Sequence, residues 1–156
     1  MEKSVRKQNR LPHYDYSAAG AYFITICTKN RENLFWSSVG ANCVRPQENL
    51  TKIGLAVEKE LVKWNELYNG VCLDKYVIMP NHIHAIVIVD GRTQFAPTIS
   101  RIVKQFKGTV SKTIGFSPWQ RSFYDHVIRG EKDYLDVWSY IDNNPKRWLD
   151  DPLYSQ

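Results

Sequence analysis

The stretch that decides the fold, residues 71–89, reads VCLDKYVIMPNHIHAIVIV. Two runs rich in β-branched residues flank Pro80 and Asn81, a pair typical of a tight turn, so the pattern predicts a β-hairpin. The second strand opens with His82 and His84, separated by Ile83. Because side chains alternate along a strand, both imidazoles are expected on one face of the sheet, with Cα atoms about 6.5 to 7 Å apart.

Periodic patterns on both sides of this hairpin predict the remaining elements. A run of β-branched and aromatic residues at 22–28 predicts a strand, and 30–47 is predicted to be a loop. Apolar residues at helical spacing predict a helix that opens at 50–51 and stops at 69–70, and a second helix over 97–114. Residues 123–129 predict a fourth strand, and 131–144 a last helix that Pro145 ends.

The predicted order is βαββαβ followed by a helix, which is the order of a ferredoxin-like sandwich. We therefore predict an α+β fold with a four-stranded antiparallel sheet and an additional C-terminal helix. The first and third strands are central in this topology, which places His82 and His84 in the middle of the sheet. The length of 156 residues fits one domain, 1–156, with a basic arm at 1–12.

Composition narrows the class of protein. The net charge of +5 favours a polyanionic partner such as nucleic acid. The three cysteines form no CxxC pair, which predicts neither a zinc knuckle nor a disulfide framework, and reduced thiols fit a cytoplasmic protein. Cys27 and Cys72 lie in apolar runs and are expected to be buried. No run approaches the roughly 20 apolar residues of a membrane span, so no membrane partner is expected.

The two histidines and the last helix carry the candidate chemistry. A His-x-His pair on a strand predicts either a divalent-metal site that needs a third ligand, or two hydrogen-bonded histidines at a strand end. Tyr140 and Asn144 lie four residues apart and share a helical face. A tyrosine phenol is a nucleophile for phosphoryl transfer when a cation is near, and an asparagine amide offers an oxygen ligand. The alternatives are a core tyrosine and a helix-terminal asparagine.

Three blocks of sequence resemble the small single-tyrosine transposases, one branch of the HUH endonucleases. They are MPNHIH at 79–84, WQRSFYDHVIR at 119–129 and YIDNNP at 140–145. An Asn-Pro after the tyrosine is typical of the transposases associated with repeated extragenic palindromes (REP), to which this chain looks similar. Insertion-sequence relatives more often carry a glutamine where Asn144 stands, one methylene longer.

The resemblance implies a metal-dependent enzyme that cleaves and rejoins single-stranded DNA at hairpin ends. Mg²⁺ or Mn²⁺ is then held by His82, His84 and Asn144, and Tyr140 is the catalytic nucleophile that forms a 5′-phosphotyrosine bond. The family implies either a monomer or a homodimer that exchanges its catalytic helices. Two other functions stay open: a DNA-hairpin-binding protein that does not cleave, and an RNA-binding ferredoxin-like module.

A nucleic-acid surface is predicted from basic residues in the arm, on the second helix and beside the fourth strand. They are Arg6, Arg10, Arg101, Lys104, Lys107, Arg121 and Arg129. A solvated helix face is the alternative for those on the helix. Trp119 and Tyr124 offer rings for base stacking or for core packing. His126 is predicted to be a surface or structural residue, and His13 is assigned no role.

Overall fold

The computed structural model describes residues 20–37, 49–90 and 98–155, so the predicted arm at 1–12, with Arg6 and Arg10, and also His13 lie outside the described residues. The chain forms, in order, β1 (Gly20–Cys27), α1 (Lys52–Val62), α2 (Trp64–Leu67), β2 (Val71–Ile78), β3 (His82–Val89), α3 (Ile99–Ile114), β4 (Tyr124–Ile128) and α4 (Gly130–Asn143). Two 3-10 helices, Lys29–Arg31 and Pro145–Asp150, follow β1 and α4.

The four strands pair into one sheet in the order β2-β3-β1-β4, and every neighbouring pair is antiparallel. This confirms the predicted α+β fold, with β1 and β3 in the centre. β3 is buried along almost its whole length because both faces of the sheet are covered, which explains its unbroken apolar run after His84.

The two faces of the sheet carry different side chains and are covered by different helices. Tyr22, Ile24 and Ile26 of β1 are fully buried on one face, the face covered by α1 and α3. Trp64 of α2 packs on α3, where its ring meets that of Phe106 edge-on with the centroids 5.4 Å apart. Phe23 and the residues that alternate with it lie on the opposite face, against α4, and this face carries the histidines.

Three features differ from the prediction. The first helix is broken at Lys63 into α1 and α2. Pro145 ends α4, but it then occupies the first turn of a 3-10 helix, a position where its missing N–H costs nothing. Cys72 is exposed, contrary to the expectation from its apolar surroundings, because β2 is an edge strand whose side chains alternate between core and solvent. None of the described helices is both long and apolar enough to cross a bilayer.

Two glycines on helices make a matched test of this packing. A Cβ on Gly54 would overlap the carbonyl oxygen of Phe35, which is held in place because it accepts from the backbone N–H of Thr51 at 2.9 Å. A Cβ on Gly108 of α3 would meet nothing within 4 Å. We expect Gly54→Ala to lower the free energy of unfolding by about 1 to 3 kcal/mol, and Gly108→Ala to raise it by about 0.5 to 1 kcal/mol. Urea unfolding measures both, and equal stabilisation by the two changes would contradict the close approach of α1 to Phe35.

Candidate functional site

His84 is fixed in the centre of the sheet by the register of β1 and β3. Its Cα partner on β1 is Thr25, and the Thr25 hydroxyl lies 2.8 Å from His84 Nδ1. Both side chains are buried. This contact uses one ring nitrogen and turns the other, Nε2, towards the face where α4 lies.

His82 is held by the turn that precedes it. Asn81 donates through Nδ2 to the carbonyl oxygen of Leu153 at 2.7 Å, which leaves its Oδ1 to accept from His82 Nδ1 at 2.7 Å. Since Nδ1 carries the proton, Nε2 keeps a free lone pair. A backbone or side-chain oxygen on Nδ1 is the usual arrangement behind a metal-binding histidine.

Three buried polar atoms converge without a hydrogen-bond partner: His82 Nε2, His84 Nε2 and Asn144 Oδ1. The two imidazole centroids are 4.5 Å apart. Asp151 joins them, with Oδ2 at 3.8 Å from His82 Nε2, and the ligand atoms of the two histidines and Asp151 all lie within 4.8 Å of one another. A buried polar atom without a partner destabilises the fold, and a bound cation would give these nitrogen and oxygen atoms a partner. A divalent cation therefore fits this set of ligand atoms.

Tyr140 lies beside the same cluster, on α4 of the same chain. Its ring centroid is 5.3 Å from that of His84, and it meets Phe23 edge-on at 6.1 Å. The side chain is 44% exposed, so it is not a core tyrosine. α4 is held over the sheet by Lys75 of β2, which pairs with Asp142 at 2.9 Å. The structure therefore brings Tyr140 to the histidines within one protomer.

The protonation states follow from burial. Burial lowers the pKa of His82 to about 4, although the carboxylate of Asp151 and the amide of Asn144 act to raise it. Burial and the neighbouring His82 hold the pKa of His84 well below its usual 6.5. Both imidazoles are neutral at neutral pH, the form that binds a metal. Burial and Asp151 raise the pKa of Tyr140, and Asn144 opposes that shift.

A cavity of about 510 Å³ opens beside the cluster, lined in part by Tyr140, Asn144, Arg147 and Asp151. It gives the phenol and the buried donors access from solvent. Arg147 is exposed in the Pro145–Asp150 3-10 helix and offers a guanidinium to an anion that enters.

The structure does not gather the predicted DNA-binding residues at this cavity. Arg101 and Lys104 are exposed on α3, the helix that covers the opposite face of the sheet. The ammonium of Lys107 donates to the carbonyl oxygens of Gln120 (2.9 Å) and Ser122. Arg121 and Arg129 are exposed on either side of β4. A DNA contact by any of them stays a prediction.

The remaining rings are divided between the core and the surface. Trp119 is a core residue, packed on Phe106 at 5.5 Å with its Nε1–H donated to the carbonyl oxygen of Lys107. Tyr124 is 45% exposed. His126 lies on the edge strand and pairs with Asp133 at 2.8 Å, which accords with a structural surface role.

Sequence patterns did not reveal Asp151, Arg147 or Thr25 as parts of the site. Asp151 and Arg147 follow a proline in an irregular segment without periodicity, so no helical or strand pattern places them. Thr25 faces His84 only through strand pairing, which a single sequence does not give. Asn81 is the neighbour of His82 in sequence, and this adjacency was the one feature of the sequence that could have indicated its role in holding His82.

The depressed pKa values predict how the metal-free protein responds to acid. In the unfolded chain histidines titrate near 6.5, so between pH 6.5 and about 4 the unfolded state binds more protons than the folded state. Stability is then present above pH 6.5 and is lost as the pH falls through this window, by about 3 kcal/mol for His82 at about 1.4 kcal/mol per pH unit.

Urea unfolding in EDTA at a series of pH values measures this loss. We expect a shallower decline in a His82→Gln/His84→Gln variant, whereas exposed His126→Gln should keep the wild-type slope. Equal slopes in all three proteins would show that the two histidines are not buried as neutral groups.

Comparison with known proteins identifies relatives over nearly the whole chain, although no family model matches. An uncharacterized protein of Haemophilus influenzae is 37% identical over 96% of this chain and 93% of its own length. A second H. influenzae protein, provisionally named a REP-associated tyrosine transposase, is 25% identical over 84% of this chain and 73% of its own length. The REP-associated tyrosine transposase of Escherichia coli K12 is 35% identical over a shorter region, 47% of this chain and 43% of its own length.

A solved structure has the same fold. It is that of a REP-associated tyrosine transposase bound to a REP hairpin, with a TM-score of 0.63 at 19% identity, covering 94% of this chain and 88% of that one. The names of these relatives agree with the family that the three motif blocks at 79–84, 119–129 and 140–145 resemble. This chain is therefore similar in sequence and in fold to the REP-associated tyrosine transposases.

Proposed function

We propose that this protein is a divalent-metal-dependent DNA transposase that cleaves and rejoins single-stranded DNA at hairpin ends through Tyr140. The observation that carries the proposal is the convergence, within one chain, of a half-exposed phenol and three unpartnered buried donor atoms. A protein that only binds hairpins has no need for buried donors left unpaired beside a nucleophile, since each such atom costs stability.

His82 and His84 are the residues we assign to the cation, with Asn144 as an oxygen ligand. Mixed nitrogen and oxygen donors are compatible with Mn²⁺ or Mg²⁺. When bound, the cation withdraws charge from the non-bridging oxygens of the scissile phosphate. Asn81 and Thr25 serve this role indirectly, because each occupies Nδ1 of one imidazole and leaves Nε2 to face the site.

Tyr140 supplies the nucleophile. The phenol oxygen attacks phosphorus, a Tyr–O–P bond forms, and the P–O3′ bond breaks. The phenol proton is lost, and the departing 3′ oxygen takes up a proton to leave as a 3′-OH. The raised pKa of Tyr140 keeps the phenol protonated in the metal-free protein, because its burial and the nearby Asp151 disfavour the phenolate. The 5′-phosphotyrosine link conserves the phosphodiester energy, so attack by a 3′-OH rejoins strands without a nucleotide cofactor.

The substrate class is supported by the relative that binds a REP hairpin and by the surface next to the site. Tyr124 pairs with Thr25 on β1 and therefore shares the histidine face, where its exposed ring is available to stack on a base. Around the end of β1, a cavity of about 470 Å³ is lined by residues that include Lys29, Arg31 and Arg121. Cys27, at that end of β1, is the strand partner of His82. A DNA backbone held by these cations therefore lies at the same end of the sheet as the metal donors.

The placement of Tyr140 also supports a monomer that acts in cis. α4 packs on its own sheet, and Tyr140 reaches His84 without a second copy. A dimer with exchanged helices would require α4 to leave this position.

Replacement of Tyr140 tests the nucleophile. With labelled single-stranded hairpins flanked by single strands, and with Mn²⁺ or Mg²⁺, we expect wild-type protein to form a covalent adduct on a denaturing gel. Tyr140→Phe should lose the adduct by more than about a hundredfold. Tyr134→Phe is the matched control, because Tyr134 is on the same helix but donates to Asp74. An adduct that survives Tyr140→Phe would exclude Tyr140, and hairpin binding by wild-type protein without any adduct would favour the non-cleaving alternative.

Two double variants locate the DNA path. Lys29→Gln/Arg121→Gln removes two charges from the cavity at the end of β1, and Arg101→Gln/Lys104→Gln removes two from α3. We expect the first to weaken hairpin binding about tenfold and to lower the slope of log affinity against log salt by about 1 to 2, because phosphate contacts release counterions. The α3 variant should stay within about twofold of wild type. A larger effect of the α3 variant in gel-shift titrations would place the DNA on the opposite face.

A further inference from the structure

The segment after α4 returns to the metal-donor cluster and carries a buried carboxylate. Asp151 lies one residue beyond the Pro145–Asp150 3-10 helix, and its side chain is fully buried. Contacts with the histidine turn help to hold the segment here: the ring centroid of Trp148 lies 6.0 Å from that of His82, and the carbonyl oxygen of Leu153 accepts from the Asn81 amide at 2.7 Å. The position of Asp151 is therefore tied to the same turn that orients His82.

Neutral groups donate the hydrogen bonds of this carboxylate. Oδ2 accepts from Asn144 Nδ2 at 2.9 Å, and Oδ1 accepts from the backbone N–H of Leu153 at 2.8 Å. A buried carboxylate costs free energy that two neutral donors offset only in part. His82 Nε2 lies 3.8 Å from Oδ2, beyond hydrogen-bond distance, so this imidazole gives the carboxylate no further hydrogen bond.

The bond from Asn144 has a second consequence. Because Asp151 Oδ2 takes the amide nitrogen, the amide oxygen of Asn144 must point the other way, and it is unpartnered like Nε2 of His82 and of His84. Asp151 thus orients Asn144 towards the site while its own oxygen stays within reach of the His82 and His84 donors.

We infer that Asp151 is a ligand of the divalent cation, so that the site consists of two imidazoles, an amide oxygen and a carboxylate supplied by the segment that follows the catalytic helix. This inference rests on the proposed metal dependence. A carboxylate adds a full negative charge and a hard oxygen to the donor set, which favours Mn²⁺ and Mg²⁺ more than two imidazoles alone do. Residues 145–155 are then part of the active site rather than a terminal tail.

The test measures Mn²⁺ binding to the whole chain without DNA, by isothermal titration calorimetry and by electron paramagnetic resonance. Asp151→Asn keeps the size of the side chain and removes the charge. Asp150→Asn is the matched control, because Asp150 is the preceding residue, is exposed and lines the same cavity. We expect Asp151→Asn to weaken Mn²⁺ binding by about tenfold or more, and Asp150→Asn to change it by less than about twofold. Equal losses in the two variants would show that Asp151 contributes only to the local field, and would overturn the inference.

The number of water molecules bound to Mn²⁺ shows whether Asp151 is a ligand or only orients Asn144. At saturating protein, line broadening by ¹⁷O-labelled water should report about one more water on Mn²⁺ in Asp151→Asn than in wild type, because a water replaces the lost oxygen. An unchanged water count would overturn the assignment as a ligand. Asp151→Glu, which retains a carboxylate, should restore part of the affinity, and it serves as the test variant should Asp151→Asn fail to fold by circular dichroism.

The failure of this inference differs from the failure of the proposed function. Mn²⁺ binding that is lost in His84→Ala but unchanged in Asp151→Asn excludes Asp151 and leaves the metal-dependent enzyme intact. No Mn²⁺ binding by wild-type protein, together with DNA cleavage in EDTA, would exclude the metal dependence itself and the inference with it.

Discussion

Two imidazoles buried side by side on a central strand impose the constraint around which this site is built. Each ring has two nitrogens that need partners, and the aliphatic side chains that follow along β3 provide none. Thr25 and Asn81 meet the need at Nδ1 of His84 and His82, respectively. The Nε2 atoms are left facing polar groups from the end of α4 and the segment after it, among them those of Asn144 and Asp151. The sheet thus supplies the two imidazoles of the site, and the C-terminal third of the chain supplies the amide and the carboxylate.

That division explains why α4 must be fastened to the sheet. Lys75 on β2 reaches Asp142 at 2.9 Å and also lies 4.0 Å from the centroid of the Trp138 ring. Such exposed contacts are individually weak, at about 1 kcal/mol or less. The burial of Ile141 adds an apolar anchor one residue beyond Tyr140. Several weak contacts around one buried anchor hold the phenol at the histidines and still leave its oxygen open to the cavity.

Sequence patterns predicted those parts of the site that follow a regular period. Strand alternation placed His82 and His84 on one face, and the four-residue helical spacing placed Asn144 with Tyr140, as the structure has them. The patterns gave no account of Asp151, because Pro145 breaks the helical period and the chain then turns through a 3-10 helix. They also placed Lys107 on a helix face with Arg101 and Lys104, as a phosphate contact or a solvated residue, and gave no sign that its ammonium donates to backbone carbonyls. Periodic patterns in a sequence predict where helices and strands lie. Contacts made by irregular segments depend on tertiary packing, and a single sequence has no periodic pattern that predicts them.

The electrostatics of the cluster connect the phenol to the cation. In the metal-free protein the buried carboxylate of Asp151 disfavours the phenolate of Tyr140, while Asn144 favours it. A divalent charge placed between the imidazoles and Asp151 reverses the sign of the local field, so the same carboxylate that raises the pKa of Tyr140 becomes part of a net positive site. In the proposed mechanism, the carboxylate keeps the pKa of the phenol raised when the cluster holds no cation, and a bound cation lowers it. The proposed attack by Tyr140 then depends on the cation through its charge as well as through the phosphate that it binds.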